Sequence, residues 1–173
     1  MQSFRTVDSN YDKIRQAFID DETGLNNKTG LVYLLDNFLI QYERYEENIS
    51  LIIFDADIKY ARSSDNINQS DINLATADML KRICRRSDLI FFLGGSFFAI
   101  LTRVLNGDDM VDFSNKILKY MKNLKHNDKN IELNAKFGIT FSKNGDSVDN
   151  MMERALSAID RAKGVENNIV VNT

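Results

Sequence analysis

Apolar positions along the chain follow two rhythms, a spacing of three to four residues and short unbroken runs, and their alternation predicts the elements. Ile14, Phe18 and Ile19 recur at helical spacing, so Tyr11 to Ile19 reads as a short amphipathic helix. A loop of turn formers from Asp20 to Lys28 follows. Leu31, Leu34, Leu35, Phe38 and Leu39 then mark a core-facing helix that should end near Glu46. Ser50 to Phe54 is an apolar run of strand length, expected to be buried on both faces, and it ends in Asp55-Ala56-Asp57. Lys59 to Gln69 lacks periodicity and reads as loop. Ser70-Asp71 offers a cap for a helix that turns Ile72, Leu74, Ala75, Met79, Leu80 and Ile83 inward. The runs Leu89 to Leu93 and Ser96 to Leu101 are separated by Gly94-Gly95, the form of a two-residue hairpin whose central positions need positive φ.

Beyond the hairpin, Met110 to Leu124 carries Phe113, Ile117, Met121 and Leu124 on one helical face. Ile131 to Phe141 reads as a strand broken by Gly138, Val148 to Ala162 as a helix and Asn168 to Val171 as a terminal strand. The order is βαββαβ with an extra helix in front and an extra strand behind. That order predicts an α+β domain of one sheet with helices packed on it.

Composition narrows the function classes. The 173 residues, 43% of them hydrophobic, suffice for one domain with a substantial core, here residues 20–173 behind a helical extension at 1–19. Twenty-two basic against 25 acidic residues give a net charge of −3, so no overall positive field draws the chain to nucleic acid or to an anionic membrane. One cysteine, Cys84, and one histidine, His126, cannot assemble a Cys/His metal cluster or an internal disulfide. No apolar run approaches the ~18 residues of a membrane span, and no apolar signal core opens the chain, so a cytoplasmic, soluble protein is expected.

Four motifs carry a family resemblance. Asp20-Asp21-Glu22-Thr23-Gly24-Leu25-Asn26-Asn27-Lys28 resembles the Asp-x-Leu-Thr-Gly-Leu-x-Asn-Arg opening of the GGDEF family, the bacterial diguanylate cyclases. Phe54-Asp55-Ala56-Asp57 is similar to that family's metal-binding strand end, and Gly94-Gly95-Ser96-Phe97-Phe98 stands where the family has Gly-Gly-Asp/Glu-Glu-Phe. Phe137-Gly138-Ile139-Thr140 and the segment from Arg154-Ala155 to Arg161-Ala162-Lys163 resemble its later strand and final helix. The similarity runs from about Asp20 to Val171, and it implies a nucleotidyl-cyclase-like fold.

The resemblance also implies a departure in chemistry. Joining two GTP molecules into cyclic di-GMP needs divalent metal held by carboxylates converging from two strands. Asp55 matches one such ligand, but Ser96 occupies the position of the second acid and Phe97 that of the acid beside it. The family's guanine-reading Asn falls near Arg62 or Ser63, in a loop one residue short. Asp71 matches a second guanine contact and Lys163 a phosphate contact, while Asn167 replaces an arginine. Asp55, Asp57, Asp71, Gly94, Gly95, Ser96, Phe97 and Lys163 are therefore expected to be a remnant active site without turnover, metal or other cofactor.

A second site survives in the resemblance. Arg85-Arg86-Ser87-Asp88, five residues ahead of Gly94-Gly95, matches the Arg-x-x-Asp product-inhibition motif, although Phe92 stands where the family often has arginine. An arginine fork suits guanine O6 and N7 or a phosphate, and a carboxylate accepts from guanine N1 and N2 hydrogens. Arg82 and Arg86 would add charge, and a base between Lys116 and Lys119 would complete the site across a dimer. The bland alternative is a helix end capped by Arg85 with a local Arg85–Asp88 ion pair. The favoured expectation is an inactive cyclic di-GMP receptor that reports to an unidentified signalling partner, with a ligand-linked homodimer. The alternatives are a pure interaction or dimerisation module and a GTP-binding regulatory domain using the remnant pocket.

Overall fold

The computed structural model describes residues 12–103, 106–166 and 168–173. In chain order the elements are α1 (Lys28–Tyr45), β1 (Ser50–Asp55), a 3-10 turn (Ile58–Tyr60), β2 (Ala61–Arg62), α2 (Gln69–Ile83), β3 (Leu89–Gly94) and β4 (Phe97–Thr102). They continue as α3 (Gly107–Met121), β5 (Leu124–His126), β6 (Lys129–Leu133), β7 (Lys136–Phe141), α4 (Val148–Ala162) and β8 (Ile169–Asn172).

Every residue of β1 is buried, as its unbroken apolar run requires of a strand flanked on both edges and covered on both faces. It is the centre of a five-stranded sheet ordered β3-β4-β1-β7-β8. Leu51 faces Leu101 of β4 on one side and Thr140 of β7 on the other, both antiparallel, and β8 joins β7 in parallel. Alternation along the strands divides the core into two layers. Ile52, Phe54, Phe98, Ile100 and Phe137 meet Ile72, Leu80, Met110 and Ile117 from α2 and α3. Leu51, Ile53, Ala99 and Leu101 meet Leu31, Leu35 and Leu39 of α1 and Met151, Ala155 and Ile159 of α4. Phe54 stacks between Phe98 and Phe137, with ring centroids 5.3 and 4.8 Å away.

The α+β architecture and its order agree with the sequence reading, and several local expectations are corrected. Residues 12–17 are helical, whereas Ile19 leaves the predicted Tyr11–Ile19 helix to bridge Asn26; Tyr11 lies outside the described residues. The predicted strand from Ile131 to Phe141 is two strands, β6 and β7, in different sheets. With β2, taken from the expected loop, and β5, taken from the expected end of α3, β6 forms a second sheet ordered β2-β6-β5. Asn127 and Asp128, with φ of 46° and 62°, make the tight turn that pairs His126 with Lys129. Short polar side chains tolerate that left-handed backbone, and Leu124 is thereby drawn out of the helical pattern.

Gly138 does not break its strand. It sits within β7, where a Cβ would lie 2.0 Å from the Ala155 carbonyl oxygen, so α4 approaches the sheet here too closely for any side chain. The hairpin between β3 and β4 has the expected positive φ at Gly94 (97°) and Gly95 (63°). Its tip is displaced by one residue: Gly94 pairs with Phe97, and the register shifts between Phe92 and Gly94. The cap of α2 is also displaced. Asn68 caps it by accepting from the Asp71 amide, and the Asp71 carboxylate in turn accepts from the Asn68 amide in a reciprocal box. No helix among the described residues is long and apolar enough to cross a membrane.

Candidate functional site

The C-terminal end of α2 leads directly into the turn at Arg85 to Asp88. Asp88 accepts hydrogen bonds from the Arg85 amide at 2.8 Å and from the Thr102 hydroxyl at 2.7 Å, which ties the turn to the end of β4. The contact with Arg85 is through the backbone, and the guanidinium remains exposed rather than closing the ion pair of the bland alternative. A cavity of about 500 Å³ opens beside this turn. Arg85, Arg103 and Lys116 line it together with Asp88, Asp109 and Asp112, and Ile83 and Phe113 supply apolar wall. Its volume falls within the range of small-ligand clefts, and its lining is dominated by charge.

A second cavity, of about 350 Å³, lies beside the same turn and shares Ser87, Thr102 and Arg103 with the first. Arg86 lines this second cavity with Phe38, Ile49, Leu89 and Leu101, whereas Arg82 lines neither. Lys116 lines the first cavity from α3 of the same chain. Burial, and then the charge of Asp88, push the Cys84 thiol up to about 12, which disfavours the thiolate. Thr102 and Arg103 carry no motif in the sequence, and Phe113 appears there only on a helical face. Hairpin register holds the signal for Thr102, because pairing Leu89 with Leu101 sets Asp88 opposite it.

The strand ends that resemble a catalytic centre form a different arrangement. Asp55 is 2% exposed and accepts a 2.6 Å hydrogen bond from the Ser96 hydroxyl. The Lys59 ammonium lies 2.8 Å from Asp57 and 4.0 Å from Asp55. Burial opposes ionisation of Asp57, but the hydrogen bonds and charge of Lys59 outweigh it and hold the carboxyl below its ordinary range. Gln69 donates to the Ala56 carbonyl, and Asn73 donates to the Gly95 carbonyl, so α2 is pinned across the ends of β1 and β3 by neutral amides. Phe97 packs into the opposite core layer with α1 and α4. A divalent cation seeks several hard oxygens; here both carboxylates are already engaged, Asp55 by a hydroxyl and Asp57 by an ammonium, which fits it poorly. Among the described residues no three His, Cys, Asp or Glu side chains gather at ligand spacing.

The outer remnant residues make pairings of their own, with the Lys163 charge still felt at Asp57 and Asp55. Asp71 serves the α2 cap and a 2.8 Å ion pair with Lys129, whose hydrogen bond, followed by that of the Asn68 amide, lowers its pKa. Lys163 pairs with Asp160 at 2.8 Å, and this contact raises its pKa. Arg62 and Ser63 border a separate cavity with Lys122 and Lys125, and Asn167 lies outside the described residues.

Comparison with known proteins agrees with this architecture. The family described as diguanylate cyclase, GGDEF domain, matches residues 17–168. The coiled coil and GGDEF domain of DgcB from Caulobacter crescentus, solved in complex with c-di-GMP, is similar at a TM-score of 0.81 and 20% identity, over 96% of this chain and 92% of that one. The diguanylate cyclase SiaD from Pseudomonas aeruginosa, solved with its activator SiaC, gives 0.79 and 19% over 96% of this chain and 66% of that one. The S helix-GGDEF-EAL portion of Vibrio cholerae LapD, bound to c-di-GMP, gives 0.76 and 16% over 98% of this chain and 40% of that one. No curated protein sequence matches. Since the family match spans almost the whole chain and the sheet order, hairpin and helices form one such domain, this protein belongs to the GGDEF family.

Proposed function

We propose that this GGDEF domain is a catalytically inactive receptor for cyclic di-GMP, binding at the Arg85–Asp88 turn and reporting occupancy to a partner protein. The observation that carries the reading is the first cavity, where the exposed Arg85 fork, the Asp88 carboxylate and Lys116 face one volume of about 500 Å³. A fork and a carboxylate are complementary to the two halves of guanine's hydrogen-bonding edge, and a lysine suits a phosphodiester. At the same time Ser96 and Lys59 occupy the contacts that metal would need on Asp55 and Asp57. DgcB and LapD, solved with bound c-di-GMP, and SiaD, solved with its activator SiaC, support the ligand and the mode of signalling.

Titration calorimetry with cyclic di-GMP and with GTP tests the reading, alongside incubation with GTP and Mg²⁺ or Mn²⁺. The expected results are heat with cyclic di-GMP and no cyclic di-GMP made from GTP. Product above a no-protein control would refute inactivity. Scattering at saturating ligand should give a doubled mass, since two stacked ligands present guanines to two Arg85/Asp88 turns; an unchanged mass removes the dimer alone. The interaction-module reading draws on one observation, the exposure of Val32, Tyr33 and Ile40 along α1 at 41%, 58% and 49%. It takes over if wild-type protein gives no heat with cyclic di-GMP at high micromolar concentration.

A further inference from the structure

We propose that Arg103 is an exchangeable arm of this site: it leaves Glu47 to bind the phosphodiester of the ligand, and by leaving it transmits occupancy to the end of α1. The inference rests on the cyclic di-GMP reading above. Arg103 follows Thr102 at the end of β4 and borders both cavities. Its guanidinium carbon lies 5.5 Å from the centre of the Phe38 ring, and its Nη1 lies 3.1 Å from Glu47 Oε2. Phe38 belongs to α1, and Glu47 follows the Glu46 cap of that helix, so one side chain joins the ligand cavity to the helix end.

Charge explains why the arm must move. Asp88, Asp109 and Asp112 face the first cavity against Arg85, Arg103 and Lys116. While Glu47 neutralises Arg103, two bases oppose three acids, and an anion is unwelcome. Release of Arg103 restores the balance and brings a planar fork that matches phosphate oxygens bidentately. The pair being left is a weak competitor, because its side chains are 57% and 48% exposed and water and salt screen it.

The test is calorimetry with cyclic di-GMP on the whole protein and on E47Q, E46Q, R103A, the E47Q/R103A double variant and R85A. Freeing the arm with E47Q should tighten binding by up to about fivefold, the size of an exposed pair. R103A should weaken it about tenfold or more, and E47Q added to R103A should change nothing further. E46Q removes the same charge one residue away and should leave affinity unchanged. Equal effects of E46Q and E47Q, or tightening by E47Q that persists without Arg103, would indicate a general field and overturn the arm. Hydrogen exchange supplies an independent readout: the Glu46 amide, bonded to the Tyr42 carbonyl at 2.8 Å, should exchange faster with ligand in wild type, and no change overturns the transmission. Absence of wild-type binding sinks both readings. Binding that is lost in R85A but indifferent to R103A and E47Q sinks this one only.

Discussion

Asp88 shows how one side chain holds a turn and faces a ligand at once. Its two oxygens already accept from the Arg85 amide and the Thr102 hydroxyl. Asp88→Asn turns a donor toward one of these groups, so it should lower stability by about 1–2 kcal/mol without any ligand. Denaturant titration checks this, and an affinity loss in that variant needs to be read against it. Among the described residues the Arg85 side chain has no such structural duty. Arg85→Ala should leave the melting curve unchanged and weaken cyclic di-GMP binding about thirtyfold, and Arg85→Lys should recover little because the fork is lost. Rescue by lysine together with loss of binding in raised salt would indicate a loose phosphate patch instead. Arg85 and Asp88 could be found in the sequence because they sit at fixed distance from a glycine pair. Arg103 could not, since nothing in an isolated Thr-Arg dipeptide tells which cavity its side chain will border.

Among the elements, the strongest rhythms were read most accurately. The helix Val148–Ala162 was predicted with the bounds it has, because its apolar positions keep one face through to the end. Short strands gave the opposite result. β2 has two residues and β5 three, too few for any periodicity to accumulate, and their pairing with β6 depends on a distant partner. Gly138 was misread for a related reason: a glycine in an apolar run looks like a break until the helix lying against it is known. Gly138→Ala places a methyl group against the Ala155 carbonyl and within 3.0 Å of Ala158 and Ile159, so α4 must shift off β7. A loss of about 3 kcal/mol, at the upper end of overpacking penalties, is expected in chemical denaturation. An unperturbed midpoint would mean that this approach is looser than described.

Taken as one molecule, the domain should be most sensitive to acid through carboxylates that hold distant segments together. Asp146 receives two 2.7 Å hydrogen bonds from Arg154, which joins the loop before α4 to that helix. Burial opposes its ionisation, yet the Arg154 hydrogen bonds and charge prevail and hold it below the ordinary range; Asp57 and Asp71 are lowered as well. Folded values below the unfolded value of about 3.9 make this stabilisation complete above pH 4, and it disappears as pH falls through the folded values. Asp146→Asn should cost about 3 kcal/mol at neutral pH by leaving Arg154 without its counter-charge. Thermal melts should show that gap constant above pH 4 and narrowing below it; a gap that widens in acid would contradict the assignment.

The central position of β1 also sets a timetable for folding. Leu51 has no strand beside it until Leu101 and Thr140 arrive, whereas β3 and β4 meet across a two-residue tip. Contacts between near neighbours form with the least loss of chain entropy, so the β3–β4 hairpin is the natural nucleus and β1 docks onto it from a distance. The strand carrying Asp55 is then fixed late, against a template that already bears Ser96. Stiffening or loosening the Gly95-Ser96 tip should change the refolding rate, while trimming apolar contacts of β8 at the far edge should appear mainly in the unfolding rate.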